Sequence, residues 1–197
     1  MERIRDYFRK FEMESRVWEF ETSSATVELA ASTLGVSHGA VAKTLSFEMG
    51  QGCLLIVAAG DARIDNRKFK DAFGIKAKML APEEVSRRTG CGVGGVCPFD
   101  LPEETPVFLD KSLKRFATVF PACGSTNSAI ELSNGELFQF SRAKDWVDVC
   151  KDWDETADPL IDAVREKTSP CRTGDYAAAV FRFRSGPEEG GCAGVSL

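Results

Sequence analysis

The chain has 197 residues, of which 43% are hydrophobic and 28% are charged, which is typical of one globular domain with a sizeable core. Its formal net charge of −5 argues against broad, nonspecific binding of nucleic acid. No apolar run approaches the roughly 20 residues that span a bilayer, and the first residues are charged rather than signal-like. We therefore expect a cytoplasmic protein with no membrane partner.

The first third of the chain predicts two helices and a central hairpin. Apolar residues recur at helical spacing from 4 to 11, and residues 16–21 alternate like a strand. Ser23 and Ser24 are candidate N-caps for a second helix, which Gly35 closes after Leu34. After a short helical turn at 37–42, a strand at 43–49, a glycine-containing turn at 50–52 and a wholly apolar strand at 53–59 follow.

The remainder of the chain mixes helices and strands without a βαβ repeat. Asp65 is a candidate N-cap for a helix that ends before Gly74, and Pro82 suits the first turn of a helix towards Thr89. A short helix is predicted at 136–140. Strands are predicted at 76–80, 107–109, 118–120, 129–132 and 146–149. This order of elements favours an α+β domain.

Lys43 is the first candidate for a functional residue. In the strand at 43–49 it shares a face with the apolar residues Leu45, Phe47 and Met49. An unpaired charge buried on such a face would cost several kcal/mol, so the ammonium group needs a pocket, a partner or an exit at the domain edge. Parity alone leaves two readings open, a pocket lysine or a lysine that extends past the strand end to solvent.

Three polar or glycine-containing connections add weaker signals. The loop at 90–98 has enough glycine to bring backbone N–H groups close to a ligand, although a flexible surface loop fits as well. Asp110 ends an apolar strand, where it could face a substrate, orient Lys43 or cap the helical turn after it. The connection that begins at Gly124 is a third such segment, and His38 is interpreted as a surface turn residue.

The seven cysteines predict neither a disulfide framework nor a metal site. They are scattered, odd in number and never spaced as C-x-x-C, and the chain has one histidine. We expect reduced thiols that pack as small hydrophobic side chains, no metal and no cofactor. A thiol or zinc protein that uses Cys91 and Cys97 is the less favoured alternative, and it predicts bound zinc or a low-pKa thiol.

Taken in order, these segments resemble the YbaK/EbsC family of aminoacyl-tRNA deacylases, which is related to the editing domain of bacterial prolyl-tRNA synthetases. The resemblance rests on the segments 24–31, 41–45, 93–98, 107–110, 116–121 and 124–132, and it spans about residues 16–150. It implies one α+β domain with a mixed, largely antiparallel curved sheet surrounded by helices. It also implies an editing domain at 1–152, followed by a C-terminal extension of unknown role at 153–197.

The resemblance assigns roles to particular residues. Lys43, in the Lys-Thr-Leu segment, would be the catalytic residue, as an electrostatic anchor rather than as a base. Substrate-binding roles would fall on Gly94, Gly95, Val96, Pro98, Asp110 and Gly124. The implied partner is the acceptor end of an aminoacyl-tRNA carrying a small amino acid, on tRNAPro or a related tRNA, with a synthetase as a further candidate partner.

Two points depart from the family pattern or stay open. Many relatives have glycine two residues after the loop proline, where this chain has Asp100, so we expect a changed loop exit with a carboxylate near the pocket rim. The alternative function is a non-catalytic module of the same fold that binds tRNA or a synthetase.

Overall fold

A computed structural model describes residues 2–21 and 26–153. The helices are α1 (Glu2–Arg9), α2 (Val27–Leu34), α3 (Asn66–Phe73), α4 (Pro82–Thr89) and α5 (Asn134–Phe140). The strands are β1 (Val17–Glu19), β2 (Val41–Met49), β3 (Gly52–Ala59), β4 (Arg63–Ile64), β5 (Val107–Asp110), β6 (Thr118–Pro121), β7 (Ser128–Ile130), β8 (Leu132–Ser133), β9 (Asp145–Val147) and β10 (Cys150–Lys151). No helix within the described residues is long and apolar enough to cross a membrane.

The centre of the fold is a six-stranded mixed sheet in the order β8-β6-β2-β3-β5-β9. Its longest pairing is the antiparallel β2–β3 hairpin, and β6–β8 is also antiparallel. The pairs β2–β6, β3–β5 and β5–β9 are parallel. Two further antiparallel pairs, β1–β7 and β4–β10, lie outside this sheet. The α+β class predicted from the sequence is confirmed.

The core forms around β3, as its wholly apolar sequence predicts. Residues 54–59 have no solvent exposure, because neighbouring strands and the packed elements cover both faces of β3. Phe69 of α3 packs on Phe47 of β2, with ring centroids 4.8 Å apart. Phe8 of α1 contacts Phe99 and Phe140 edge to face, at 4.9 and 5.6 Å. Aromatic packing therefore holds α3 against β2 and α1 against α5.

Most predicted element types are confirmed, with two corrections. Asp65 and Pro82 begin α3 and α4 as expected. The N-cap of α2 is Thr26, whose side chain accepts from Leu29 N, so the prediction of Ser23 or Ser24 was wrong. The predicted strand at 76–80 is reduced to a bridge between Met79 and Phe47, because only two backbone hydrogen bonds join this segment to β2. The predicted extension at 153–197 lies, except for Trp153, outside the described residues.

Candidate functional site

A cavity of about 350 Å³ opens along one edge of β2. Its walls come from α2, from β2 itself, from residues 79–85, from the glycine-rich loop and from the stretch 120–129. Most wall residues are apolar, and Lys43 is the only lysine or arginine among the lining residues that the structure describes. A largely apolar concave site with few polar groups is the usual form of a small-ligand site.

Lys43 lies near the start of β2, opposite Ala58 of β3. Its Nζ donates to the carbonyl oxygen of Gly60 at 2.9 Å and also to the carbonyl oxygen of Ala62. An ammonium group has three protons, so one remains for a ligand. Of the two readings that strand parity left open, the structure shows the pocket lysine, because Lys43 is partly buried and lines the cavity.

The turn after β3 is shaped to receive this ammonium group. A Cβ at Gly60 would lie 2.1 Å from the carbonyl oxygen of His38 and 3.0 Å from that of Val41. Only glycine allows such a close approach of two backbone segments. The approach brings the carbonyl of Gly60 within hydrogen-bonding distance of Lys43.

Burial lowers the pKa of Lys43 below its ordinary value of 10.5, because desolvation disfavours the charged form. The carboxylate of Asp61 opposes this shift, while Arg63 adds to it. Desolvation is the largest of these effects. A partly desolvated cation interacts more strongly with a negatively charged ligand than a solvated one does.

The glycine-rich loop contributes one wall of the cavity. Gly94 and Val96 line it, as the resemblance implies for substrate-binding residues. Gly95 lies against backbone, since a Cβ there would be 2.7 Å from the carbonyl carbon of Ser125. Gly94 has φ 83°, a left-handed conformation that glycine adopts without strain. The loop is thus held on the connection that follows Gly124, whose own φ is 87°.

Pro98 and Asp110 lie away from the cavity lining. Pro98 lines a separate cavity of about 300 Å³, together with Asp100. Asp110 is fully buried, and its Oδ1 accepts from Ser112 N at 3.0 Å while its Oδ2 accepts from Val149 N at 2.9 Å. Of the roles that the sequence left open for Asp110, the structure shows helix capping.

Asp100 explains the departure from the family pattern. Its φ is 51°, in the left-handed region that glycine favours and aspartate tolerates. The residue therefore keeps the backbone path that a glycine would take. Its carboxylate lies 3.6 Å from Arg3 Nε and lines the second cavity rather than the rim of the first. The expectation of a carboxylate at the rim of the β2-edge cavity was wrong.

The cysteines that the structure describes are free and buried, as expected. Cys91 and Cys97 flank the glycine-rich loop with their Sγ atoms 3.7 Å apart, and Arg3 Nη2 lies 3.6 Å from Cys91 Sγ. The hydrogen bond from Cys97 lowers the pKa of Cys91 and raises the pKa of Cys97. Among the described residues no group of histidine, cysteine or carboxylate side chains is arranged to hold a metal ion.

Sequence reasoning missed most of the apolar wall. Val27, Ala30 and Leu34 of α2 line the cavity, and their i, i+3, i+7 spacing marks one helical face. That spacing was a usable signal for a buried face, but it did not show that the face borders a cavity. Thr44 was also missed: it lines the cavity, and its Oγ1 is buried with no hydrogen-bond partner among the described residues.

Comparison with known proteins identifies a family and several relatives. The aminoacyl-tRNA editing domain family matches residues 21–140. An uncharacterised protein of Bacillus subtilis, YwhH, is 59% identical over 152 residues, covering 77% of this chain and 97% of YwhH. EbsC of Enterococcus faecalis, a candidate Cys-tRNA(Pro)/Cys-tRNA(Cys) deacylase, is 27% identical and covers 59% of this chain and 71% of EbsC.

Two further similar proteins are a proline–tRNA ligase and a solved structure described in relation to prolyl tRNA synthetase. The proline–tRNA ligase of Lysinibacillus sphaericus is 29% identical over 124 residues, which cover 55% of this chain and 22% of the ligase. The crystal structure of a candidate trans-editing enzyme for prolyl tRNA synthetase superposes with a TM-score of 0.69 at 26% identity, covering 76% of this chain and 96% of that one. The chain therefore belongs to the aminoacyl-tRNA editing domain family, as its resemblance to the YbaK/EbsC deacylases predicted.

Proposed function

We propose that the chain hydrolyses the ester bond of mischarged aminoacyl-tRNA in trans. The observation that carries this proposal is Lys43, a partly desolvated ammonium group with one proton to spare, in the wall of an apolar cavity. In the reaction, a water oxygen bonds to the ester carbonyl carbon and the bond from that carbon to the ribose oxygen breaks. A proton from the water ends on the ribose hydroxyl, so the products are the free amino acid and uncharged tRNA.

In this proposal Lys43 is an electrostatic anchor for the terminal ribose or phosphate. The carbonyl dipoles of Gly60 and Ala62 stabilise the positive charge on Nζ, which favours a charged lysine over a neutral base. An aminoacyl ester is already activated, so a positioned water and donors to the developing oxyanion suffice. Backbone N–H groups near Gly94 and Val96, which line the cavity, are candidate donors.

The substrate class follows from the cavity. Its walls of valine, leucine and alanine fit a small side chain, such as that of alanine, serine or cysteine. Because one methylene changes binding by only about 1–3 kcal/mol, selection by volume separates small from large side chains more sharply than it separates close neighbours. We propose tRNAPro or a related tRNA as the carrier, with a synthetase as a further partner, since relatives include proline–tRNA ligases.

The test is a deacylation panel. tRNAPro and a few other tRNAs are charged with alanine, cysteine, serine or threonine and incubated with wild-type protein or with Lys43→Ala. We expect the wild type to release at least one small amino acid and the folded variant to release none above the uncatalysed rate. If every charged tRNA survives excess wild-type protein but binds to it, the chain is a non-catalytic module instead.

A further inference from the structure

Between two paired stretches, the edge of β2 leaves both backbone groups of Thr44 and the N–H of Ser46 without a backbone partner among the described residues. The parallel pairing with β6 ends at the pair Ala42–Pro121. The segment 78–80 meets β2 only further along, where Ser46 O accepts from Leu80 N at 3.0 Å and Glu48 N donates to Lys78 O at 2.8 Å. Thr44 lies in the gap between these stretches, and the gap is where the cavity opens.

The backbone groups of Thr44 point into this gap. Peptide groups along a strand alternate in direction, so the N–H and C=O of Thr44 point to the same side as those of Ser46 and Glu48. The groups of Lys43 and Leu45 point the other way, into the ladder with β3. Within the described residues, nothing pairs with this edge of Thr44, and its Oγ1 is buried without a partner as well.

Unpaired backbone groups in a recess of the protein call for a partner. The backbone groups of Thr44 face the cavity, where a bound ligand can pair with them in place of water. An exposed strand edge also binds extended ligands through their main-chain groups. In this gap Thr44 has both its N–H and its C=O unpaired, so a single amino acid residue can pair with both and no peptide strand is required.

We propose that Thr44 binds the aminoacyl group of the substrate as a one-residue antiparallel bridge. In such a bridge, two opposed residues exchange both of their N–H···O bonds. An aminoacyl ester carries an ammonium donor and a carbonyl acceptor on the same residue, which is the complement of one strand residue. The α-ammonium group donates to Thr44 O, and Thr44 N–H donates to the ester carbonyl oxygen.

This contact gives Thr44 a positioning role in the proposed reaction, on which the inference rests. In this bridge the Thr44 N–H donates to the carbonyl oxygen on which negative charge develops. That hydrogen bond therefore strengthens as the reaction proceeds. Thr44 would contact only the amino and carbonyl groups that all α-amino acids share. The apolar walls would then select among their side chains. Lys43 directly precedes Thr44 in β2 and contacts the nucleic-acid end of the same ester. Consecutive residues of β2 therefore contact the two halves of the substrate.

Two substitutions separate the backbone from the side chain. Thr44→Val removes the hydroxyl and keeps the N–H, while Thr44→Pro removes both. Proline is tolerated at a strand edge where the N–H makes no ladder hydrogen bond, which is the situation of Thr44. Both variants are first compared with the wild type by thermal unfolding. If Thr44→Pro does not fold, replacement of Thr44 by its α-hydroxy acid analogue exchanges the N–H for oxygen and keeps the side chain.

The readout is single-turnover deacylation of a small aminoacyl-tRNA that the wild type hydrolyses. We expect loss of the N–H to lower the rate roughly 10²-fold below that of Thr44→Val, as for an oxyanion donor. N-acetylation of the substrate amino group should weaken binding to wild type, because the donor to Thr44 O becomes a neutral amide. Equal rates for Thr44→Val and the N–H-deleted variant would overturn the bridge and leave the proposed hydrolysis standing. A wild type with no deacylase activity would instead overturn the proposed function.

Discussion

Replacing Lys43 by methionine tests how the cavity holds its charge. Methionine keeps the length and packing of the side chain and removes the ammonium group. The wild-type Nζ donates to two carbonyl oxygens, and a hydrogen bond that involves a charged group contributes about 1.5–3 kcal/mol. Removing a partly buried charge returns part of its desolvation cost. We therefore expect a net loss of about 1–3 kcal/mol in the free energy of unfolding near neutral pH.

The pH dependence of that loss has a defined sign. Burial lowers the pKa of Lys43 in the folded state, while the unfolded chain keeps the ordinary value of 10.5. Between these two pKa values the unfolded state binds more protons, so the stability of the wild type rises with pH. Lys43→Met lacks this contribution. The difference in stability between wild type and variant should therefore grow as pH rises through the lowered pKa towards 10.5.

The assay is urea unfolding of both proteins at a series of alkaline pH values, with the difference taken at each pH. Titrating groups that do not interact with Lys43 contribute equally to both proteins and cancel in that difference. A difference that stays constant with pH, or that shrinks as pH rises, would refute the description of Lys43 as a desolvated cation. A variant as stable as the wild type at neutral pH would show that the two carbonyl hydrogen bonds only offset the desolvation cost of the charge.

Three further substitutions test packing, hydrogen bonding and ion pairing elsewhere in the domain. Gly95→Ala places a Cβ within 3 Å of backbone, so it should lower the free energy of unfolding by about 1–3 kcal/mol, measured by thermal unfolding. Gly92→Ala, which has open space around it, is the control and should be tolerated. Equal effects of the two substitutions would contradict this packing. Asp110→Asn turns an amide donor towards a buried N–H and should cost about 2–3 kcal/mol in urea, with the deacylation rate of the folded fraction unchanged. Arg16→Met should raise the pKa of Glu136 from about 2 towards 4.5 in an NMR titration, because the Arg16 hydrogen bond is the main cause of the lowered value. Wild-type stability from this pair is present above pH 4.5 and lost as pH falls towards 2, and an unmoved pKa would exclude that cause.

Local patterns in the sequence were enough to predict the hairpin and the side on which Lys43 lies. The turn at 50–52 and the apolar run of β3 set the register, and strand parity then places Lys43. What parity could not show was whether the ammonium group reaches solvent or a pocket. That depends on the close approach at Gly60, which involves a segment nearly 20 residues away in the chain.

The cavity itself depends on pairings between distant segments. It exists because β6 leaves the edge of β2 at Ala42, and because the segment near Met79 rejoins that edge only beyond Thr44. Neither event has a local sequence signal. Asp110 shows the same limit, since a carboxylate at a strand end suits both a cap and a substrate contact. Only the hydrogen bond from Val149 N shows that the carboxylate of Asp110 has a structural role.

The most direct test of the proposed function is the release of labelled alanine, serine or cysteine from tRNAPro, with Pro-tRNAPro as the matched substrate and equal amounts of folded wild type and Lys43→Met. The account predicts that wild type hydrolyses at least one of these small aminoacyl esters faster than the prolyl ester, and that the variant loses this hydrolysis while keeping its fold. Equal rates for wild type and variant on every small aminoacyl ester would contradict the role given to Lys43.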